Sequence, residues 1–268
     1  MIRKPVVSGA FYPRNPDVLS ADLEKLIDFE QNKQRALGLI SPHAGYVYSG
    51  ECAGKGFSRV EIPDTVIILG VNHHGVGHAF AVDGYDHWNT PLGDIAIHHK
   101  MRERLLSTSS LFQLDNLASS KEHSLEVQVP FIQMLNPNAQ ILPITLSSLS
   151  LSALQQGGLE IAGLIKEFPE TLIVASTDMS HYISVHDAEI KDQLAIQQIL
   201  KLNFGGLLQI VKQERISMCG VAPTVMLLAA ATALGAKRAE VVEYTHSGVV
   251  SGDLGSVVAY LSMIIPEK

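Results

Sequence analysis

The chain has 268 residues, 46% hydrophobic and 18% charged, so it can bury a large core and is not a disordered protein. A formal net charge of −7, without a run of Lys or Arg, argues against nucleic-acid binding. No apolar stretch reaches the roughly 20 residues that span a bilayer, and no secretory signal is recognisable. Two cysteines, Cys52 and Cys219, provide no disulfide framework. We therefore expect a cytoplasmic protein with no membrane or nucleic-acid partner, folded as one domain over residues 1–268.

Short apolar runs alternate with helical patterns along the chain. A first helix is predicted from about Asp17, and four buried strands are predicted at 37–40, 66–69, 141–146 and 172–175. Further helices are predicted at 50–57, 99–106, 123–135, 151–168, 187–202, 204–213 and 221–234. Two β-like runs, 240–244 and 257–261, complete the pattern. This order predicts an α/β fold with a layered, mostly parallel or mixed central sheet flanked by helices.

One long connection, residues 76–93, is rich in Gly, His and aromatic residues. Its Tyr85, His87 and Trp88 would suit the wall of a pocket or a lid, because binding residues are often carried on loops. We therefore expect this connection to lie beside a ligand site.

Histidines follow three of the four predicted strands. The first strand leads into His43, the second into His73 and His74, and the fourth into Asp178 and His181. Because ligands bind beyond the carboxyl ends of the strands in α/β sheets, these side chains are expected at one edge of the sheet. Neutral imidazole binds zinc, copper, iron and nickel, so a metal site is predicted, although each histidine alone could serve a structural hydrogen bond. Neighbouring side chains of an extended segment point opposite ways, so only one of His73 and His74 should reach the site, and the pattern leaves open which.

Two other segments carry candidate site residues. Cys219 precedes the helix predicted near Val221, where a helix N-terminus would lower its pKa toward a metal-binding thiolate; the alternative is a small buried apolar side chain. Glu122 and Glu126 are four residues apart and would share one helix face as a cap. Alternatively, Glu122 and His123 could transfer protons or orient a ligating imidazole, as could Asp178. The sequence lacks a Gly-x-Ser-x-Gly elbow, a Walker loop and a dinucleotide fingerprint.

Taken together, these motifs resemble the Memo family, also called AmmeMemoRadiSam system protein B, over nearly the whole chain. The matching segments are RKP at 3–5, GAFYP at 9–13, PHAGY at 42–46, NHH at 72–74, TPLG at 90–93, EHSLE at 122–126, DMSH at 178–181 and CG at 219–220. The resemblance implies the fold of class III extradiol ring-cleaving dioxygenases and a metal site of two histidines and one cysteine. By motif position these ligands would be His43, His73 and Cys219.

The resemblance also implies roles around the metal. Asp178 and His181 would line the pocket, and His123, with Glu122 beside it, would act as an acid or base. The dioxygenases hold Fe(II) with two histidines and a carboxylate, whereas sulfur shifts the preference toward Cu(I), zinc or a differently tuned iron. We therefore expect one transition-metal ion, iron or copper with zinc as the alternative.

Three functions follow from this site. The first is a metal-dependent redox or dioxygenase-like protein that takes a small molecule or peptide into the metal pocket. The second is an adaptor that binds such a ligand without turnover. The third is a metal-assisted hydrolase in which His123 or Glu122 manages protons. The family name further implies a radical-SAM partner in a shared pathway, and the substrate is not indicated by the sequence.

Overall fold

The four apolar runs predicted as buried strands lie side by side at the centre of one sheet in the computed structural model, which describes residues 1–267. The strands are β1 Ile2–Arg3, β2 Ala36–Ser41, β3 Thr65–Val71, β4 Phe80–Val82, β5 His87–Thr90, β6 Gly93–Ile97, β7 Gln113–Leu114, β8 Gln140–Leu146, β9 Thr171–Ser176, β10 His181–Ile183, β11 Glu240–His246 and β12 Val257–Pro266. The α-helices are α1 Pro16–Leu26, α2 Tyr46–Ser58, α3 His99–Thr108, α4 Val129–Leu135, α5 Leu151–Glu167, α6 Val185–Leu200, α7 Phe204–Gln213, α8 Val221–Ala233 and α9 Gly248–Ser251.

The sheet is parallel at its centre and antiparallel toward the end of the chain. Its main strand order is β1-β5-β6-β8-β3-β9-β2-β12-β10, and β8, β3, β9 and β2 run parallel to their neighbours in that block. β12 pairs antiparallel with β2, and both β10 and β11 pair antiparallel with β12. The predicted mixed α/β sheet is therefore confirmed.

Helices cover both faces of the central strands. Alternate residues of a strand point to opposite faces, so Ile67 and Ile40 pack with α5 and α8, while Ile68 and Leu39 pack with α1, α2 and α4. Burial on both faces explains why these strands are continuous apolar runs rather than alternating ones. None of the helices in residues 1–267 combines the length and the apolar character needed to cross a membrane.

Two local predictions are wrong. The helix predicted over 123–135 begins only with a 3₁₀ turn at Glu126–Gln128 and becomes α-helical at Val129, where Pro130 occupies the first turn. Residues 122–125 are not helical, because the Ser124 hydroxyl bonds to the backbone of Val71 and the Glu122 carboxylate bonds to that of His73.

The connection over 76–93 is also not a free loop. It contains β4 and β5, and Trp88 is buried in β5 with the guanidinium of Arg3 4.0 Å from its ring centre. Trp88 thus belongs to the core rather than to a pocket wall or lid. Short strands of three or four residues give too weak a periodicity to be recognised in the sequence.

Replacement of two helical glycines by alanine should change the free energy of unfolding in opposite directions. At Gly54 in α2 a Cβ would lie 2.1 Å from the carbonyl oxygen of Leu26, so Gly54→Ala should lower the free energy of unfolding by about 1–3 kcal/mol. At Gly163 in α5 a Cβ would meet no atom of residues 1–267 within 4 Å, so Gly163→Ala should raise the free energy of unfolding by about 0.5–1 kcal/mol. Urea unfolding of both variants measures the difference. Equal stabilisation by the two substitutions would contradict the close packing of α1 against α2.

Candidate metal centre

The carboxyl ends of the parallel strands meet at one edge of the sheet and deliver most of the predicted site. Ser41 at the end of β2 pairs with Ser176 at the end of β9, so His43 and Asp178, two residues further on in each segment, are neighbours. The backbone N–H of His43 donates to Asp178 Oδ1 at 2.8 Å. The end of β3, next to β9, brings in His73.

Three imidazoles converge at this edge. One ring nitrogen of each of His43, His73 and His123 lies within 4.8 Å of those of the other two. The rings of His73 and His123 are stacked, with centroids 4.7 Å apart and planes 15° from parallel. The His43 ring stands nearly perpendicular to both. His123, for which the sequence predicted an acid or base role, is therefore also close enough to ligate an ion.

His43 is held as a neutral imidazole. Burial, with a smaller contribution from His123 and His73, holds the pKa of His43 well below its ordinary value. Its Nδ1 is 2.9 Å from Ser176 Oγ, and its Nε2 is the nitrogen nearer to Cys219. A neutral imidazole with one nitrogen in a hydrogen bond can bind a metal ion through its other nitrogen.

Glu122 fixes the orientation of His73. Its carboxylate lies 2.9 Å from His73 Nδ1 and accepts backbone N–H groups of His73, His123 and Ser124. Burial alone would raise the pKa of Glu122, but the hydrogen bonds and the His73 ring outweigh burial and bring it to about 2. The ionised carboxylate therefore leaves His73 Nε2 free for a ligand, and it lies 3.5 Å from His123 Nδ1 as well.

The predicted thiol reaches the same place. Cys219 Sγ lies 3.2 Å from His43 Nε2 and accepts the backbone N–H of Asp178 at 3.2 Å. Burial, followed by the nearby Asp178 carboxyl, raises the pKa of this thiol and outweighs the lowering by the backbone N–H of Gly220, so the low pKa expected at the N-terminus of α8 is not found. A metal ion could displace the proton, since thiols bind metals as thiolates. Cys52 is buried in α2, as expected of a small apolar side chain.

Asp178 and His181 lie on the segment that follows β9. Burial raises the pKa of Asp178 to about 6, and Asp178 Oδ2 is 4.0 Å from His43 Nε2. His181 Nδ1 bonds to the Met179 carbonyl oxygen at 2.7 Å, and the nearby His181 ring is among the influences that lower the pKa of Asp178 against burial. Asp178 therefore lies beside the imidazole group. His74 instead bonds to the Lys121 carbonyl oxygen at the surface.

The segment that carries Glu122 and His123 is held by a buried ion pair. Arg3 bonds to Glu126 at 2.7 Å and to the carbonyl oxygen of Glu122 at 2.6 Å. Glu126 also accepts the backbone N–H groups of Val6 and Val7 and the Tyr12 hydroxyl. Glu122 and Glu126 thus serve different partners and do not share a helix face. This pairing could not be predicted from local sequence patterns, because the partners are more than 100 residues apart.

The fold and the site define an α/β protein whose sheet edge collects three imidazoles, a thiol and two carboxyl groups. A family described as Memo-like protein matches residues 3–264. A MEMO1 family protein of Aquifex aeolicus is 39% identical over 265 residues, covering 98% of each chain. A MEMO1 family protein of Thermotoga neapolitana is 37% identical over 280 aligned residues, covering 99% of this chain and 100% of that protein. The chain belongs to the Memo-like family, as its motifs predicted.

A solved structure shares the fold. It is the crystal structure of an uncharacterized protein, JW3007, from Escherichia coli K12, with a TM-score of 0.55 over 86% of this chain and 100% of that chain. The two sequences are 15% identical, so the likeness is one of fold alone.

Proposed function

We propose that this protein binds one transition-metal ion through His43, His73 and Cys219, with His123 at the same centre, and uses it in redox or dioxygenase-like chemistry on a small molecule. The observation that carries the proposal is the convergence of three imidazole nitrogens within 4.8 Å of one another, together with a thiol 3.2 Å from one of them. These residues come from four separate segments of the chain.

The donor set fits a transition metal. His43 and His73 each engage Nδ1 with a neighbouring side chain and keep Nε2 for an ion. The mixture of imidazole and sulfur suits iron, copper or zinc, whereas magnesium and calcium prefer oxygen donors. Iron or copper is the proposed ion, because either would supply electron transfer as well as Lewis acidity.

The surrounding carboxyl and imidazole groups would handle protons. A carboxyl with a pKa of about 6, such as Asp178, can both take up and release a proton near neutral pH. Burial lowers the pKa of His123, so its ring is neutral and able to accept a proton from a bound substrate. Glu122, already ionised and fully bonded, orients His73 rather than exchanging protons.

Metal analysis of the protein purified without a polyhistidine tag tests the proposal. After anaerobic incubation with Fe(II), Cu(I) or Zn(II) and removal of free ions, elemental analysis should find about one iron or copper ion per chain. The oxidation-state change on exposure to dioxygen can be followed by electron paramagnetic resonance. Failure to retain any of the three ions would contradict the metal site. Retention of zinc alone would contradict redox chemistry and favour metal-assisted hydrolysis.

A further inference from the structure

Ser176, the last residue of β9, lies directly behind His43 and is fully buried. Its hydroxyl oxygen has three close polar neighbours. They are His43 Nδ1 at 2.9 Å, Gln128 Nε2 at 2.8 Å and the carbonyl oxygen of Ser124 at 2.6 Å. A serine hydroxyl has one hydrogen to donate and two lone pairs that accept. All three contacts can form together only if each neighbour takes a defined role.

The carbonyl oxygen of Ser124 can only accept, so it must receive the one hydrogen of the Ser176 hydroxyl. An amide nitrogen of Gln128 can only donate, so it occupies one lone pair. The remaining lone pair faces His43 Nδ1 and requires a hydrogen on that nitrogen. In a neutral imidazole only one nitrogen carries a hydrogen, so a hydrogen on Nδ1 leaves Nε2 without one.

The amide of Gln128 has one orientation compatible with this arrangement. Its Nε2 also lies 2.9 Å from the carbonyl oxygen of Pro42, which accepts and cannot donate. Rotating the amide by half a turn would place its oxygen against two acceptors, Pro42 O and a hydroxyl already committed to Ser124. The two amide hydrogens therefore go to Pro42 and Ser176, and Gln128 Oε1 is left buried without a hydrogen-bond partner among residues 1–267.

We infer that Ser176, oriented by Gln128 and Ser124, is a positioning residue that sets the tautomer of His43 and so presents a bare Nε2 to the metal centre. The benefit of this role to metal binding rests on the proposed function, whereas the hydrogen bonds that set the tautomer do not. Glu122 does the same for His73 with a carboxylate. A carboxylate therefore orients His73, whereas a hydroxyl orients His43. The Ser176 hydroxyl can set the tautomer of His43 only because its own hydrogen is already bonded to the Ser124 carbonyl oxygen.

Nitrogen-15 NMR of the histidine rings in the metal-free protein tests the inference directly. The His43 signals are identified by their absence from His43→Gln. In the wild type, Nδ1 should be protonated and Nε2 should be bare, whereas in Ser176→Ala the Nε2-protonated form should become populated. Loss of this orienting contact should also weaken Zn(II) binding about 10- to 100-fold. The matched control is Ser41→Ala, since Ser41 pairs with Ser176 across the sheet and is equally buried, and its hydroxyl has no hydrogen-bond partner in the part of the chain that the structure describes.

Several results would overturn the inference. One is a wild-type His43 ring protonated at Nε2, a measurement that needs no variant and is unaffected by whether Ser176→Ala folds. Another is a folded Ser176→Ala protein with the wild-type tautomer, or a Ser41→Ala protein with the same tautomer change. If the tautomers behave as expected but wild-type protein binds no metal ion, the inference holds and the proposed function fails.

Discussion

The variant His73→Asn should no longer retain a stoichiometric metal ion. His73 supplies one of three imidazole nitrogens within 4.8 Å of one another, and the Glu122 carboxylate holds its ring so that Nε2 is free. Removing a residue that only orients a ligand typically weakens metal binding by 10- to 100-fold, so removal of a ligand itself should weaken Zn(II) binding by more than about 100-fold. Competition with a chromophoric chelator measures this change.

His74→Asn is the control for that experiment. The two histidines are adjacent in sequence and both are exposed, but the His74 ring bonds to the Lys121 carbonyl oxygen whereas the His73 ring bonds to Glu122. Its replacement should leave the metal affinity at the wild-type value. Equal weakening by both substitutions, or weakening by His74→Asn alone, would contradict the assignment of His73 to the centre.

Glu126→Ala should be the most destabilising of the substitutions considered. It would leave the buried guanidinium of Arg3 without its counter-charge and would remove the acceptor for two backbone N–H groups and the Tyr12 hydroxyl. Breaking a buried ion pair by deleting one partner lowers the free energy of unfolding by about 3–5 kcal/mol. Urea unfolding monitored by circular dichroism measures the change.

Glu167→Ala provides a comparison with an exposed pair. Glu167 and Arg104 form a bidentate ion pair on the surface, where water and salt screen the interaction. Loss of this ion pair in Glu167→Ala should leave the midpoint of urea unfolding nearly unchanged. If Glu126→Ala were as mild as Glu167→Ala, the Arg3–Glu126 pair could not be what anchors the segment of Glu122 and His123.

The strand-end histidines show how far the candidate site could be predicted from sequence. Each of His43, His73 and His181 follows a recognisable apolar run, and the carboxyl ends of parallel strands share one edge of a sheet. That pattern did not show which of His73 and His74 reaches the metal site, and the prediction of His73 depended on the family resemblance. The structure separates the two rings through different partners, Glu122 for His73 and the Lys121 carbonyl oxygen for His74.

The segment around Glu122 shows where sequence reasoning failed. Its spacing of acidic residues is typical of a helix cap, yet it is not helical, because the Glu122 carboxylate bonds to the backbone of His73 and the Glu122 carbonyl oxygen bonds to Arg3. Periodicity describes neighbours along the chain and carries no information about such partners. The helix prediction was therefore wrong at the segment that contributes His123 to the centre.

By itself, the sequence determined the four central strands, the helices that cover them and the histidines at the strand ends, since these depend on local apolar patterns and on the shared direction of parallel strands. Only the tertiary structure decided which side chains contact each other at the site. Glu122 contacts His73, 49 positions away in the sequence, and Cys219 contacts His43, 176 positions away. Proton positions and thiol acidity depend on such contacts and on burial, because both are set by the nearest dipoles and by the exclusion of water.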